Sequence, residues 1–75
     1  MEKKTLLKQF GLNVRHSRQA SGLSQEELAE RCGLHRTYIG GIERGERNIT
    51  LINILKIAKS LNIDARELMN GLVIS

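Results

Sequence analysis

Proline and tryptophan are absent from this 75-residue chain, cysteine occurs once, and Phe10 and Tyr38 are the only aromatic residues. A single cysteine excludes an internal disulfide and supplies no metal framework, a usage that suits a reducing cytoplasm. With aromatics at 3% and apolar residues at 40%, a core must be built mainly from Leu, Ile, Val and Ala. No apolar run reaches membrane-spanning length, and Met1-Glu2-Lys3-Lys4 leads into a mixed amphipathic stretch rather than a signal peptide. The expectation is a soluble cytoplasmic protein with no membrane partner. Its length suits one small domain over residues 1–75, near the lower limit at which a core holds without staples. Lys and Arg number 12 against 8 acidic residues, a net charge of +4 with a pI of about 9.7. That balance favours an anionic partner, either nucleic acid or an acidic membrane face.

Helix signals divide the chain into five segments. Leu7, Phe10 and Val14 fall on one face of a first helix over about Lys4 to Ala20, which Ser21-Gly22 stops. Ser24-Gln25-Glu26-Glu27 has the form of a capping box: a Ser24 oxygen for the Glu27 amide and a Glu27 carboxylate reaching back. It opens a second helix that ends near Cys32-Gly33. A third runs from about His35 to Arg44 and stops at Gly45. Thr50 is the N-cap expected for a fourth helix through about Leu61, with Leu51, Ile54, Ile57, Ala58 and Leu61 as its inner face. Asp64-Ala65-Arg66-Glu67 has the form of a second capping box, opening a short fifth helix through Met69 towards Gly71. No segment alternates with a period of two, and there are no repeats, long linkers or low-complexity tracts. The expected fold class is all-α, a compact five-helix bundle.

Within it, residues 25–44, QEELAERCGLHRTYIGGIER, have the spacing of helix, tight turn and helix. Leu28, Ala29 and Cys32 face inward, Ala29 is small where the helices come closest, and Gly33 takes the positive φ that a short turn demands. Leu34, Ile39 and Ile42 follow. A helix-turn-helix places its second helix in the DNA major groove. With Ile39 and Ile42 inward, Arg36, Thr37, Gly40, Gly41 and Arg44 are expected on the outer side. Arg36 carries a planar fork that matches guanine O6 and N7, and Thr37 offers a hydroxyl and a methyl. Adjacent glycines inside a helix cost about 1 kcal/mol each relative to Ala. Either a close approach of DNA or a crowded helix crossing accounts for Gly40 and Gly41. Gln25 lies in the first turn of its helix, where free amides favour a phosphate, or it is simply solvated. Arg44, Arg47 and Asn48 follow the recognition helix. Arg47 reaches a base or a phosphate, and Tyr38 is half core and half DNA backbone. Lys3, Lys4 and Lys8 make a basic N-terminal surface.

The segment GLSQEELAERCGL, then IERG and a Leu-rich fourth helix, resembles the lambda-repressor-like family of helix-turn-helix regulators over about Phe10 to Gly71. The run HRTYIGGIERGERNIT is similar to the controller proteins of bacterial restriction-modification systems, short dimeric regulators. By motif match that resemblance implies operator contacts from Arg36, Thr37, Tyr38 and Arg47; with the residue reading, base contacts are expected from Arg36, Thr37 and Arg47, and backbone contacts from Gln25, Tyr38, Arg44 and Asn48. His35 departs from the family pattern, standing where an N-cap residue such as Asp is common. The resemblance further implies an ion pair between Arg18 and Glu43 tying two helices together, either buried or exposed. It also implies control of the protein's own gene and of a linked endonuclease gene. RNA polymerase is then a partner, touched through Glu43 or Glu46.

One such domain reads few base pairs, so a homodimer on a palindromic operator is expected. Ile52, Leu55, Leu72, Val73 and Ile74 are the apolar residues left for its interface. The alternative places Leu55 in the core and leaves the tail without a role. No enzyme, cofactor or metal site is expected. Cys32 and His35 lack further zinc ligands, Cys32 sits at an inward position, and His16 has no carboxylate nearby in sequence. Gly40, Gly41 and Gly45 do not follow a strand and so make no nucleotide loop. Competing readings are a phage or mobile-element repressor of this fold, or the DNA-binding half of an antitoxin.

Overall fold

Caps decide where each helix of this chain begins and ends. The computed structural model describes residues 1–74; Ser75, the last residue of the expected domain, lies outside them. The helices are α1 (Lys3–Ala20), α2 (Gln25–Cys32), α3 (Arg36–Glu43), α4 (Leu51–Ser60) and α5 (Ala65–Leu68), with no strand among the described residues. Ser24 Oγ accepts from the Glu27 amide at 3.0 Å, and the Ser24 amide donates to Glu27 Oε1 at 2.9 Å. This is the full reciprocal box. Thr50 Oγ1 caps α4 by accepting from the Asn53 amide at 3.2 Å.

Two start signals resolve differently from expectation. At α5 no reciprocal box forms with Glu67. Asp64 Oδ1 accepts from the Arg66 amide at 2.8 Å, and the Arg66 guanidinium takes the same carboxylate at 2.9 and 3.1 Å. The Arg66 amide and guanidinium together occupy the Asp64 carboxylate, a local charge-assisted pair that takes the place of the bond to the Glu67 amide. At α3 His35 occupies the N-cap with extended backbone but makes no side-chain cap bond.

The ends of α1 to α4 share one solution. Each has paired bonds running back from the residues after the helix: Gly22 to Gln19 with Leu23 to Arg18, and Gly33 to Glu30 with Leu34 to Ala29. Gly45 to Ile42 with Glu46 to Gly41, and Asn62 to Lys59 with Ile63 to Ala58, complete the set. This is the Schellman arrangement, and it requires a left-handed residue at its pivot. Asn62 serves as that pivot after α4 at φ 55°, a conformation that Asn tolerates better than most side chains.

Packing places α1 against α3 and α5, α2 against α3 and α4, and α4 against α5. Leu28, Ile39, Ile42, Ile57, Leu68 and Val14 are fully buried at the centre. The closest crossing falls at Gly11, where a Cβ would stand 2.5 Å from the Glu43 carbonyl oxygen and meet that of Ile42 as well. Backbone-to-backbone contact thus sets the pose of α3 on α1. Asn13 ties the other side of α1 to α5, its amide donating to the carbonyls of Leu68 at 2.9 Å and Asn70 at 2.8 Å. Leu51, expected on the inner face of α4, is 67% exposed. It occupies the first position of the helix, directly after the cap.

The Ser24 box has two measurable consequences. Ser24→Ala should lower stability by about 1 kcal/mol in denaturant titration. Glu27 is held below the ordinary carboxylate range, first by the Ser24 amide and then by its hydroxyl. A lowered carboxylate contributes fully above its ordinary value and loses that contribution as pH falls through the lowered one. Glu27→Gln should therefore lower stability at neutral pH and flatten the acid limb of the profile, so that the two proteins converge at low pH.

Candidate nucleic-acid interface

Helix α3 is held at its C-terminal end by a buried charge network. Arg18 reaches from the last turn of α1 to Glu43 in a two-pronged pair, Nε to Oε2 at 2.7 Å and Nη2 to Oε1 at 2.9 Å. Only 3% of the Glu43 side chain is exposed. The remaining Arg18 nitrogen donates to the Leu23 carbonyl at 2.8 Å, and Gln25 of α2 donates to Glu43 Oε1 at 3.1 Å. One carboxylate therefore gathers α1, α2 and α3. Glu43 raises the Arg18 guanidinium further above its ordinary value against the opposing effect of burial, so the arginine is charged at every accessible pH. Its position in the last turn of α1 also complements that helix's dipole.

This network corrects one expectation and gives Gln25 a structural contact. Glu43 is sequestered and has no surface to offer RNA polymerase. Gln25 has one amide hydrogen committed to Glu43, which makes it a link between α2 and α3. A phosphate at this end of α2 would fall to its main-chain amides.

Outward from the bundle, Arg36 and Thr37 stand exposed at the front of α3, beside an N-terminus without a side-chain cap. Gly40 and Gly41 do not project from that outer side. Both are buried. A Cβ at Gly40 would meet Arg44 Nη1 at 3.1 Å and Gln25 Oε1 at 3.4 Å; one at Gly41 would meet Arg47 Cγ at 3.1 Å. Polar side chains lie across them.

Arg44 is exposed and pairs with Glu46 at 3.1 Å, which holds the Glu46 carboxyl below its usual range. Arg47 is exposed, its guanidinium 5.7 Å from the centre of the Tyr38 ring, within cation–π range. Tyr38 is half-buried against the core, and its hydroxyl accepts from Asn53 Nδ2 at 3.2 Å. Asn53 was not singled out by sequence reading. Its signal is position: it is the third residue after the Thr50 cap, on the α3-facing edge of α4. The structure thus groups Tyr38 with Arg47, and Gln25 with Arg44 over Gly40. Asn48, though exposed, instead borders an apolar groove with Leu6, Leu7, Phe10, Ile49, Ile54, Met69, Leu72 and Ile74.

On α4, Ile52 is 61% and Leu55 48% exposed, so Leu55 does not complete the core. Val73 and Ile74 are exposed as well, whereas Leu72 packs half-buried against the core. The tail is tied down where the Met1 ammonium donates to the Val73 carbonyl at 3.0 Å. Cys32 is buried, which pushes its thiol up. Among the described residues no group of three acidic, His or Cys side chains could hold a metal, and no helix is long and apolar enough to cross a membrane.

A helix-turn-helix family model matches residues 14–68, and the chain belongs to that family of DNA-binding transcriptional regulators. Within it the chain is similar to control protein C.SmaI of Serratia marcescens, 54% identical over 57 residues that cover 76% of this chain and 68% of that one. Control protein C.BamHI of Bacillus amyloliquefaciens is 52% identical over 62 residues, covering 81% and 76%. The crystal structure of the restriction-modification controller protein C.AhdI from Aeromonas hydrophila superposes with a TM-score of 0.82 at 56% identity, over 83% of this chain and 94% of that one. The family membership and the likeness to controller proteins are those that the motifs implied.

Removing one partner of the buried pair strands the other charge, at a cost of about 3–5 kcal/mol. Glu43→Gln should therefore lower the melting temperature steeply, as thermal unfolding followed by circular dichroism would show. A negligible change would mean that the pair contributes no more than an exposed one.

Proposed function

We propose that this chain is a sequence-specific controller of transcription, acting as a homodimer on a palindromic operator. Its own promoter and that of a linked restriction endonuclease gene are the intended sites. The observation that carries the reading is the division of α3. Its rear, from Ile39 to Glu43, is locked into the bundle, while Arg36 and Thr37 at its front are exposed. A helix fixed from behind presents its leading side chains to the major groove in one register, with Arg36 suited to guanine and Thr37 to a thymine methyl or a base edge. Arg47 supplies a further base contact. Arg44, Tyr38, Asn48 and the first-turn amides of α2 at Gln25 face phosphates, which position the protein without reading sequence. The net charge of +4 supports the same anionic partner.

Pairing follows from reach. An eight-residue helix is about 12 Å long and covers roughly 3–4 base pairs at about 3.4 Å each. Two copies related by a two-fold axis read two half-sites about 34 Å apart. The exposed Ile52, Leu55, Val73 and Ile74 supply the apolar surface for that contact, with Leu72 lining the groove beside it. Where the regulator activates, Glu46 is the exposed acidic group beside α3 that remains for RNA polymerase.

Mobility-shift titration with the duplex upstream of the gene tests the reading. The parent protein should retain that duplex, and Arg36→Ala should weaken binding by about 1–3 kcal/mol while relaxing one operator position. Arg44→Ala should weaken all sequences alike and reduce the salt dependence. Failure of the parent to retain its own upstream duplex would remove the proposal. In sedimentation at micromolar concentration the parent should be dimeric and the Ile52→Asp, Leu55→Asp double variant monomeric. A monomeric parent would dispose of the homodimer.

A further inference from the structure

Two adjacent glycines inside an eight-residue helix weaken it relative to alanine, and at Gly41 the nearest atoms to a Cβ would all belong to one side chain, not to a packed helix. The tight crossing of α1 over α3 is at Gly11. What lies over Gly41 is the stem of one side chain: Arg47 Cγ at 3.1 Å, Nε at 3.3 Å and Cδ at 3.8 Å from the place a Cβ would take. We infer that Gly41 is a positioning residue for Arg47, forming the floor of a seat that holds this arginine in one conformation before DNA arrives. The inference rests on the reading of Arg47 as a DNA contact.

Three elements build the seat. The turn after α3 hooks the chain back, with the Glu46 amide donating to the Gly41 carbonyl at 2.8 Å and Gly45 at φ 76° as the pivot. Arg47, the next residue, is thereby returned over the third-last residue of the helix. The Tyr38 ring then faces the guanidinium at 5.7 Å, and Asn53 holds the Tyr38 hydroxyl at 3.2 Å. With a hydrogen at position 41, the stem lies flat against the helix between turn and ring.

A methyl group there would press on the middle of the stem at closer than ordinary van der Waals distance. Because Arg47 is exposed, it can lift away without disturbing the core. Gly41→Ala therefore relieves the helix of a glycine while unseating the arginine. An arginine held in place loses less rotamer freedom on binding than one that must be ordered by the DNA. Stability and affinity should thus move in opposite directions, a pattern that a packing glycine does not produce.

The test compares the parent, Gly41→Ala, Arg47→Ala and the double variant by thermal melting and by fluorescence anisotropy on the upstream duplex. Gly41→Ala should melt no lower than the parent, yet bind roughly threefold to tenfold more weakly. Arg47→Ala should bind about tenfold more weakly, and adding Gly41→Ala to it should change nothing further. Without DNA, the Arg47 side-chain protons should show a ring-current shift from Tyr38 in the parent that Gly41→Ala abolishes. Parent-like binding by Gly41→Ala would overturn the assignment, as would a melting temperature well below the parent's. So would an equal loss from Gly41→Ala in the Arg47→Ala background, which would mean that the DNA itself requires the bare helix. Parent-like binding by Arg47→Ala would instead remove Arg47 from the DNA contacts, and the seat's role with it.

Discussion

The Glu43 carboxylate, buried and shared by Arg18 and Gln25, is the constraint on which the rest of this structure turns. A domain with so few aromatic residues has little apolar area with which to dictate helix angles, since hydrophobic contact alone is non-directional. Hydrogen bonds to a buried charge are directional, and they penalise any arrangement that leaves the charge unmet. Glu43 sits at the C-terminal end of α3, where the helix dipole disfavours an anion. It is tolerated there because Arg18 arrives with two parallel bonds. The network therefore fixes α3 relative to both α1 and α2 at one point. Gly11, letting the α1 backbone rest on the carbonyls of Ile42 and Glu43, fixes it at a second nearby point. Both restraints fall on the rear half of the helix, which leaves the front free.

Much of this arrangement is legible in the residues. The Ser24 box, the Thr50 cap and the turns at Gly22, Gly33 and Gly45 depend on contacts between residues at most five apart, so local chemistry determines them. The inward rows of α2 and α3 follow from helical period. What escaped sequence reading was decided by partners distant in the chain. Gly11 looks like a weak point in a long helix until α3 is laid across it. Asn13 looks solvated until α5 presents its carbonyls. Leu51 fits the apolar period of α4, yet no element covers the first position of that helix. Asn62 was legible in principle, being the one residue between Leu61 and Ile63 able to replace glycine as a helix terminator.

The site divides along the same line. Arg36 and Thr37 stand at the front of a helix whose period already faces Ile39 and Ile42 inward, so their exposure follows from spacing. The fates of Gly40, Gly41, Gln25 and Glu43 depend on the return of Arg44 and Arg47 across the helix and on the approach of α1. Neither event is encoded by local pattern. Period analysis places the glycines on an outer face, but they are buried beneath side chains from a later turn and, at Gly40, from α2. A helix-wheel argument sees only the helix.

The positive charge is correspondingly not one population. Arg18 is structural, and replacing it would act on α3 only through the fold. Arg66 is spent on Asp64 at the far end of the molecule. Arg44 is half spent on Glu46, an exposed surface pair that DNA phosphate can displace at little cost. Arg36 and Arg47, the latter resting on Gly41 beside the Tyr38 ring, stand with Arg15 and Arg31 as exposed arginines that the hydrogen bonds and ion pairs described do not pair with a carboxylate. Net charge draws the protein to DNA over a Debye length, but reading bases needs donors that keep their forks available and arrive in a set place. The fold meets the first need by leaving the Arg36 and Arg47 side chains exposed. It meets the second by fastening α3 from behind and by leaving a bare patch of helix for an arginine to lie on.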